Sequence, residues 1–152
     1  MSGFKQIKLI IDDIDMLMMR QYYIKKLDDG YICDGTINKA RNEEELLITL
    51  ESSVTYNIFE MTKGTWGNWN DCPHWREMWA KAKEWYERYE AEVVKLSHDT
   101  VWFKCARCLN EREADALIKD FLQFAPSSMD IAHADTMKKE LSEKGEFVLW
   151  WD

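Results

Sequence analysis

The sequence predicts an α+β fold: a mixed, mainly antiparallel sheet with three to five helices packed on it. Three observations predict it. Short runs with a two-residue alternation lie at both ends, over residues 4–11 and 146–151. Two apolar stripes at helical spacing lie between them, over residues 75–89 and 114–122. Residues 92–96 and 100–105 flank Ser97-His98-Asp99 as the arms of a hairpin. Strand and helix signals are interspersed, which suits helices laid on a sheet rather than a bundle or a sandwich.

In chain order, residues 4–11 form the first strand, with Ile7, Leu9 and Ile11 on one side. Residues 13–35 admit two readings. Ile14, Leu17, Met18, Ile24 and Leu27 partly fit a helix that stops at Gly30. Residues 22–27 and 31–37 also fit strands around Asp28-Asp29-Gly30, because Asp-Gly favours a hairpin turn. A helix followed by a short hairpin or irregular strand is the reading preferred. Asn42 has the character of an N-cap, with Glu43, Glu44 and Glu45 in a first turn and Leu46, Leu47 and Leu50 on a short apolar face, so a helix is expected there. Residues 54–61 alternate with apolar side chains on both sides, which predicts an interior strand.

Pro73 marks the first turn of the clearest helix, with Asp71 or Cys72 as its cap. Its inward stripe is Trp75, Met78, Trp79, Ala82, Tyr86 and Tyr89. After the hairpin, Asn110 and Glu113 have the spacing of a capping box. Ala114, Leu117, Ile118, Phe121 and Leu122 form the buried stripe behind it, and Pro126-Ser127-Ser128 ends that helix. A last helix over residues 135–144 turns Met137 and Leu141 inward and stops at Gly145. Residues 146–151 close the chain as a strand.

The 152 residues fit one domain, 1–152, and a chain this long buries roughly 70% of its unfolded surface without needing a staple. Charged residues make up 32% and hydrophobic residues 46%, as in an ordinary soluble globule. No apolar run approaches the ~20 residues of a transmembrane helix. The N-terminus lacks the basic start and long apolar centre of a signal peptide, so a cytoplasmic protein without membrane contact is expected. The net charge is -8, with 11 acids against 7 bases through Thr62 and 17 against 13 beyond it, so the charge is not concentrated in a tail. Such a surface is repelled by phosphate backbones, which argues against nucleic acid as the partner, and it suits either a basic protein partner or plain solubility.

Eight tryptophans are the compositional surplus. Trp75 and Trp79 belong to a helix stripe, whereas Trp66 and Trp69 lie in a Gly- and Asn-rich loop. Trp150 and Trp151 are neighbours in a strand and must point to opposite faces. One of that pair is exposed unless both faces are covered. Tryptophan at a surface is a common binding hot spot, although a small domain also uses such rings to fill its core.

Several landmarks recur in a recognisable order. Gly67, Asn70, Asp71, Cys72 and Pro73 open a helix, which ends in Tyr89-Glu90-Ala91-Glu92. A hairpin with Asp99 at its turn follows, then a helix ending near Phe124-Ala125-Pro126, and finally Trp150-Trp151-Asp152. From about Gly64 to Asp152, some 89 residues, this resembles the domain of unknown function family DUF4253; residues 1–63 carry no such resemblance. The chain departs from the family pattern at three places. Asp71 stands for the more usual Glu, and Glu90 stands where the family has Gly. Ala125 stands where the family has a Cys before Pro, with the following acid displaced or lost. The resemblance implies no defined activity. By analogy, small bacterial proteins of this kind look like immunity factors that neutralise toxins.

Cysteine chemistry is weakly indicated. Cys105-Ala106-Arg107-Cys108 is a single Cys-x-x-Cys with no second pair, and structural zinc needs four ligands. Packing is the reading adopted, so no metal and no cofactor are expected. Cys72, near a helix start with His74 beside it, is the better nucleophile candidate, with His74, His98 or His133 as a base. Asp12, Asp13, Asp15, Asp28 and Asp29 have no phosphate-binding loop beside them and read as solvated.

These residues favour a non-catalytic binding or inhibitor protein, an immunity factor against a toxin or effector. A phage-type inhibitor of a bacterial defence protein is the near alternative. A small enzyme using Cys72 or carboxylates beside the Asn70–Pro73 turn is the distant one. The expected binding residues are Trp66, Trp69, Asn70, Asp71, Trp150, Trp151 and Asp152, with no catalytic residue assigned.

Overall fold

The computed structural model describes residues 5–11, 31–38, 43–50, 54–62, 72–97 and 99–151. They build one six-stranded sheet: β1 (Lys5–Ile11), β2 (Tyr31–Asn38), β3 (Glu43–Leu50), β4 (Ala91–Leu96), β5 (Thr100–Cys105) and β6 (Glu146–Trp150). The spatial order is β2-β3-β1-β4-β5-β6. Every adjacent pair is antiparallel except β1 and β4, which run parallel. The α+β class and the mixed, mainly antiparallel sheet are as the sequence predicts. Four α-helices among the described residues pack on it: α1 (Ile58–Thr62), α2 (Trp75–Tyr89), α3 (Glu111–Phe124) and α4 (Ala134–Glu143).

Two sequence expectations are overturned. The segment expected as a helix behind Asn42 is β3, which sits between β2 and β1 and pairs along its whole length with β2 and over Glu44–Leu50 with β1. Its glutamates suit a helix start, but β-branched Ile48 and Thr49 and two flanking strands decide the matter, since tertiary pairing overrides local propensity. The segment expected as an interior strand over residues 54–61 is a 3-10 turn, Thr55–Asn57, running into α1. Adjacent Ile58 and Phe59 are both fully buried. The polar side chains make tertiary bonds: Thr55 Oγ1 accepts the Val93 N–H at 2.7 Å, and Asn57 Oδ1 accepts the Trp79 indole N–H at 3.3 Å. The first of these takes up a β4 donor near the bulge between Val93 and Lys95. Of the ambiguous residues 13–35, residues 31–35 belong to strand β2, and 13–30 lie outside the described residues.

Helix α2 starts later than expected. Its cap is His74, whose Nδ1 accepts the Arg76 N–H at 3.2 Å, so Pro73 precedes the cap and Cys72 is not the cap; Asp71 lies outside the described residues. Its buried line is Met78, Ala82, Trp85 and Tyr89, while Trp75, Trp79 and Tyr86 are half-buried on the flank that meets Tyr56. The helix ends at Glu90, a non-glycine residue in the left-handed region at φ 55, ψ 35. Glycine takes this conformation without the cost that a Cβ carries.

The capping box on α3 forms as predicted, and Arg107 clamps Glu113 through two bonds of 2.8 and 2.7 Å. Gly145 lies at φ 70, where a Cβ would stand 2.8 Å from the Arg107 carbonyl oxygen, so only glycine fits between α4 and β6. One face of β5 and β6 carries Val101, Phe103, Cys105, Phe147 and Leu149, all buried under the helices. Phe147 stacks on Phe103 and Phe121, and Trp85 meets Phe103, Phe147 and Phe124 edge-on.

Candidate functional site

Strand alternation puts Trp102, Lys104, Glu146, Val148 and Trp150 on the other face of β5 and β6. Trp102 and Val148 are directly opposite in the register, and Thr100 is opposite Trp150. Trp102 and Trp150 are therefore diagonal neighbours with Val148 beside both, within reach of one another across the pair. All three are half-buried. Lys95 lies 4.6 Å from the centre of the Trp102 ring. Lys104, Glu92 and Glu146 surround the patch with both signs of charge, and Glu92 is tied to Lys5 at 3.4 Å.

The anchor of this patch is Asp99. One carboxylate oxygen accepts the hydroxyls of Ser97 at 3.1 Å and Thr100 at 2.8 Å, and the other accepts the Trp150 indole N–H at 3.2 Å. Its carbonyl accepts the Trp151 backbone N–H at 3.1 Å. On the far side, the fully buried Ser128 hydroxyl accepts the Trp150 backbone N–H at 2.9 Å and lies 3.4 Å from the Trp150 carbonyl. The Trp151 indole N–H reaches the Phe124 carbonyl at 3.4 Å, and its ring meets Phe124 edge-on. Three landmarks far apart in sequence thus converge: the turn acid Asp99, the Phe124–Ser128 segment and the Trp150-Trp151 pair.

The expected binding residues divide accordingly. Trp151 is 1% exposed, so it is a core ring and not a contact residue; the helix layer covers the face to which it points. Trp150 faces the opposite side, as adjacent strand positions must. Trp66, Trp69, Asn70, Asp71 and Asp152 lie outside the described residues. Trp102 was not among the expected residues. Its signal was present in the alternation of Val101 and Phe103 about it, which predicts a ring on the face opposite the core. The described contacts of Trp75 at the start of α2, with His74 and Arg76, share no residue with those of Trp150.

The arrangement is one of fixed rings and satisfied polar groups. Ser128 is buried with its hydroxyl engaged on both sides by Trp150, which leaves it no role as a nucleophile. Cys72 is half-buried against the core and lies two residues before His74, the α2 cap. His74 spends its Nδ1 on capping. Burial pushes the Cys105 thiol up to about 11, so it is protonated at neutral pH, while exposed Cys108 bonds the Glu143 carbonyl at 3.3 Å. Among the described residues, no three His, Cys, Asp or Glu side chains are grouped to hold a metal ion. The partly buried Asp120 is a structural group. Burial raises its pKa, but hydrogen bonds from Lys81 (2.8 Å) and the Trp85 indole (2.8 Å) outweigh that and hold it below the ordinary value. No helix among the described residues is long and apolar enough to cross a membrane.

The family model for the domain of unknown function DUF4253 matches residues 46–152. The chain belongs to that family. The match begins 18 residues before the Gly64 boundary read from the landmarks, so the DUF4253 region takes in the second half of β3 and the turn that bonds Val93. Comparison with curated proteins and with solved structures finds no match. In this DUF4253 domain, the turn acid Asp99 and the closing tryptophans are one hydrogen-bonded cluster.

Proposed function

We propose that this DUF4253 protein is a non-catalytic binding protein that blocks a protein partner, in the manner of an immunity factor against a toxin or effector. The observation that carries the reading is the Trp102–Val148–Trp150 patch. It is a half-exposed aromatic surface on a hydrogen-bonded strand pair, with Trp150 fixed in place by Asp99 and Ser128. Pre-positioned tryptophans lose little conformational entropy on binding and make effective hot spots. The rim carries both signs of charge, so the net charge of -8 acts at longer range, favouring approach of a basic partner. Among the described residues, the Ser128 hydroxyl is engaged by Trp150, His74 caps its helix and the Cys105 thiol is buried.

The test is capture from the native host with tagged protein, followed by assay of the captured protein's activity with and without the chain. The reading expects a stoichiometric basic protein whose activity is suppressed when bound. Recovery of no stoichiometric protein, or of one whose activity the chain leaves unaltered, refutes it.

A further inference from the structure

Strand β6 is an edge of the described sheet, and among the described residues its outer side is only partly covered. Gly145 and Trp151 bond toward β5, through Cys105 N–H to the Gly145 carbonyl (2.7 Å) and Trp151 N–H to the Asp99 carbonyl (3.1 Å). Alternation then directs the N–H and C=O of Glu146, Val148 and Trp150 outward. Ser128 occupies the Trp150 groups. The Val148 N–H and C=O have no hydrogen-bond partner among the described residues. Beside them lies a groove of about 190 Å³, lined by Ile131, Ala132, Thr136, Met137 and Glu140 opposite Glu146, Phe147 and Val148. Its apolar rim residue Ile131 is 51% exposed, and Met129 in the preceding turn is 57% exposed. Among the described residues, the charged side chains lining it are two carboxylates, Glu140 and Glu146. Glu140 meets Lys144 in a solvent-facing pair at 3.6 Å, and Glu146 is in no ion pair among the described residues.

The geometry points to the β6 edge groove as a docking site for an extended basic segment of a protein partner, which pairs its backbone with Val148, sets one apolar side chain between Met137 and Phe147, and turns lysines or arginines toward Glu146 and Glu140. This rests on the reading of the chain as a protein-binding module and adds the chemistry of the partner's segment. Edge pairing supplies affinity through main-chain bonds, while the groove and the carboxylates supply selection. Ser128 limits the pairing to the stretch before Trp150, so the segment is short. The groove volume suits one aliphatic side chain, not a helix.

The probe is an alternating Lys-Val hexapeptide with blocked ends, titrated into the full chain and followed by backbone amide shifts. A Glu-Val hexapeptide serves as the charge-reversed control. The Lys-Val peptide is expected to shift the Val148 and Ala132 amides below about 1 mM, and the Glu-Val peptide to leave them unmoved. Val148→Pro removes the edge donor at a position where an edge strand tolerates proline, and Ala132→Met fills the groove from the other wall. Each is expected to weaken binding by about tenfold, and Glu146→Gln by roughly threefold to tenfold. No shift at Val148 up to about 1 mM overturns the proposal, as does equal binding of the Glu-Val peptide or unchanged binding by both Val148→Pro and Ala132→Met. Trp102→Ala is expected to leave the titration unchanged. If it abolishes the shifts, the peptide sits on the sheet face, and the groove proposal fails while the binding role stands. Peptide binding at Val148 together with no partner captured from the host separates the opposite case.

Discussion

Glu90 stands in a backbone conformation that suits glycine, and relieving it has a calculable effect. Its φ of 55 and ψ of 35 close α2, its N–H caps the Trp85 and Tyr86 carbonyls, and its own carbonyl accepts the Ala106 N–H at 3.1 Å. A side chain in this region costs roughly 1–2 kcal/mol relative to the right-handed helix, and glycine removes that cost. Glycine also has more freedom to lose from the unfolded chain, which returns about 0.5–1 kcal/mol of the gain. Glu90→Gly is therefore expected to stabilise the fold by about 0.5–1 kcal/mol, a rise in Tm of about 1–4 °C for a chain of this size. Differential scanning calorimetry measures it. Glu90→Ala separates backbone from charge: it removes the carboxylate from a helix C-terminus, where a negative charge is unfavourable, but keeps the Cβ. Glu90→Ala is expected to fall well short of Glu90→Gly. A Tm for Glu90→Gly at or below that of the parent refutes it, and an equal rise in both variants assigns the gain to charge instead.

Ser128→Ala leaves the Trp150 N–H without its buried acceptor and is expected to cost about 1–3 kcal/mol in urea unfolding. An unchanged midpoint would mean that Ser128 does not hold the end of β6. Asp120→Asn is expected to destabilise by about 1–2 kcal/mol at neutral pH, because the amide cannot serve Lys81 and Trp85 as the carboxylate does. The folded pKa of Asp120 lies below the ordinary 3.8, so its contribution is complete above that value and disappears as pH falls through the lower folded pKa. The gap between parent and variant in a pH series of melts should accordingly close in acid, and a gap that persists there contradicts the ion-pair account. Thiol alkylation at mildly alkaline pH, read by peptide mass spectrometry, should modify Cys108 well before Cys105, whose thiol lies near 11. Faster labelling of Cys105 would place it outside the core.

The parts of the fold legible in the sequence are those in which local chemistry and tertiary packing agree. Asn110 with Glu113, the turn at Ser97–Asp99 and Gly145 each specify their own geometry. The errors fall where they disagree. Residues 43–50 carry a helix-like acidic start, yet they pair with strands contributed from two other parts of the chain. Residues 54–61 alternate like a strand, yet Thr55 and Asn57 bond to β4 and α2. At the candidate site, alternation alone separates Trp150 from Trp151, but it does not say which of the two the helices cover. That follows from the packing of Phe124 and Ser128 at the end of β6. The convergence of Asp99 on Trp150 spans 51 residues of sequence and is a property of the sheet order.

The most direct measurement of the proposed binding surface is the affinity of Trp102→Ala for the captured partner, by titration calorimetry on folded protein. A hot spot on the sheet face predicts a loss of at least about thirtyfold, equivalent to roughly 2 kcal/mol, with the melting temperature little changed. An affinity equal to that of the parent would contradict it and remove Trp102 and its face from the interface.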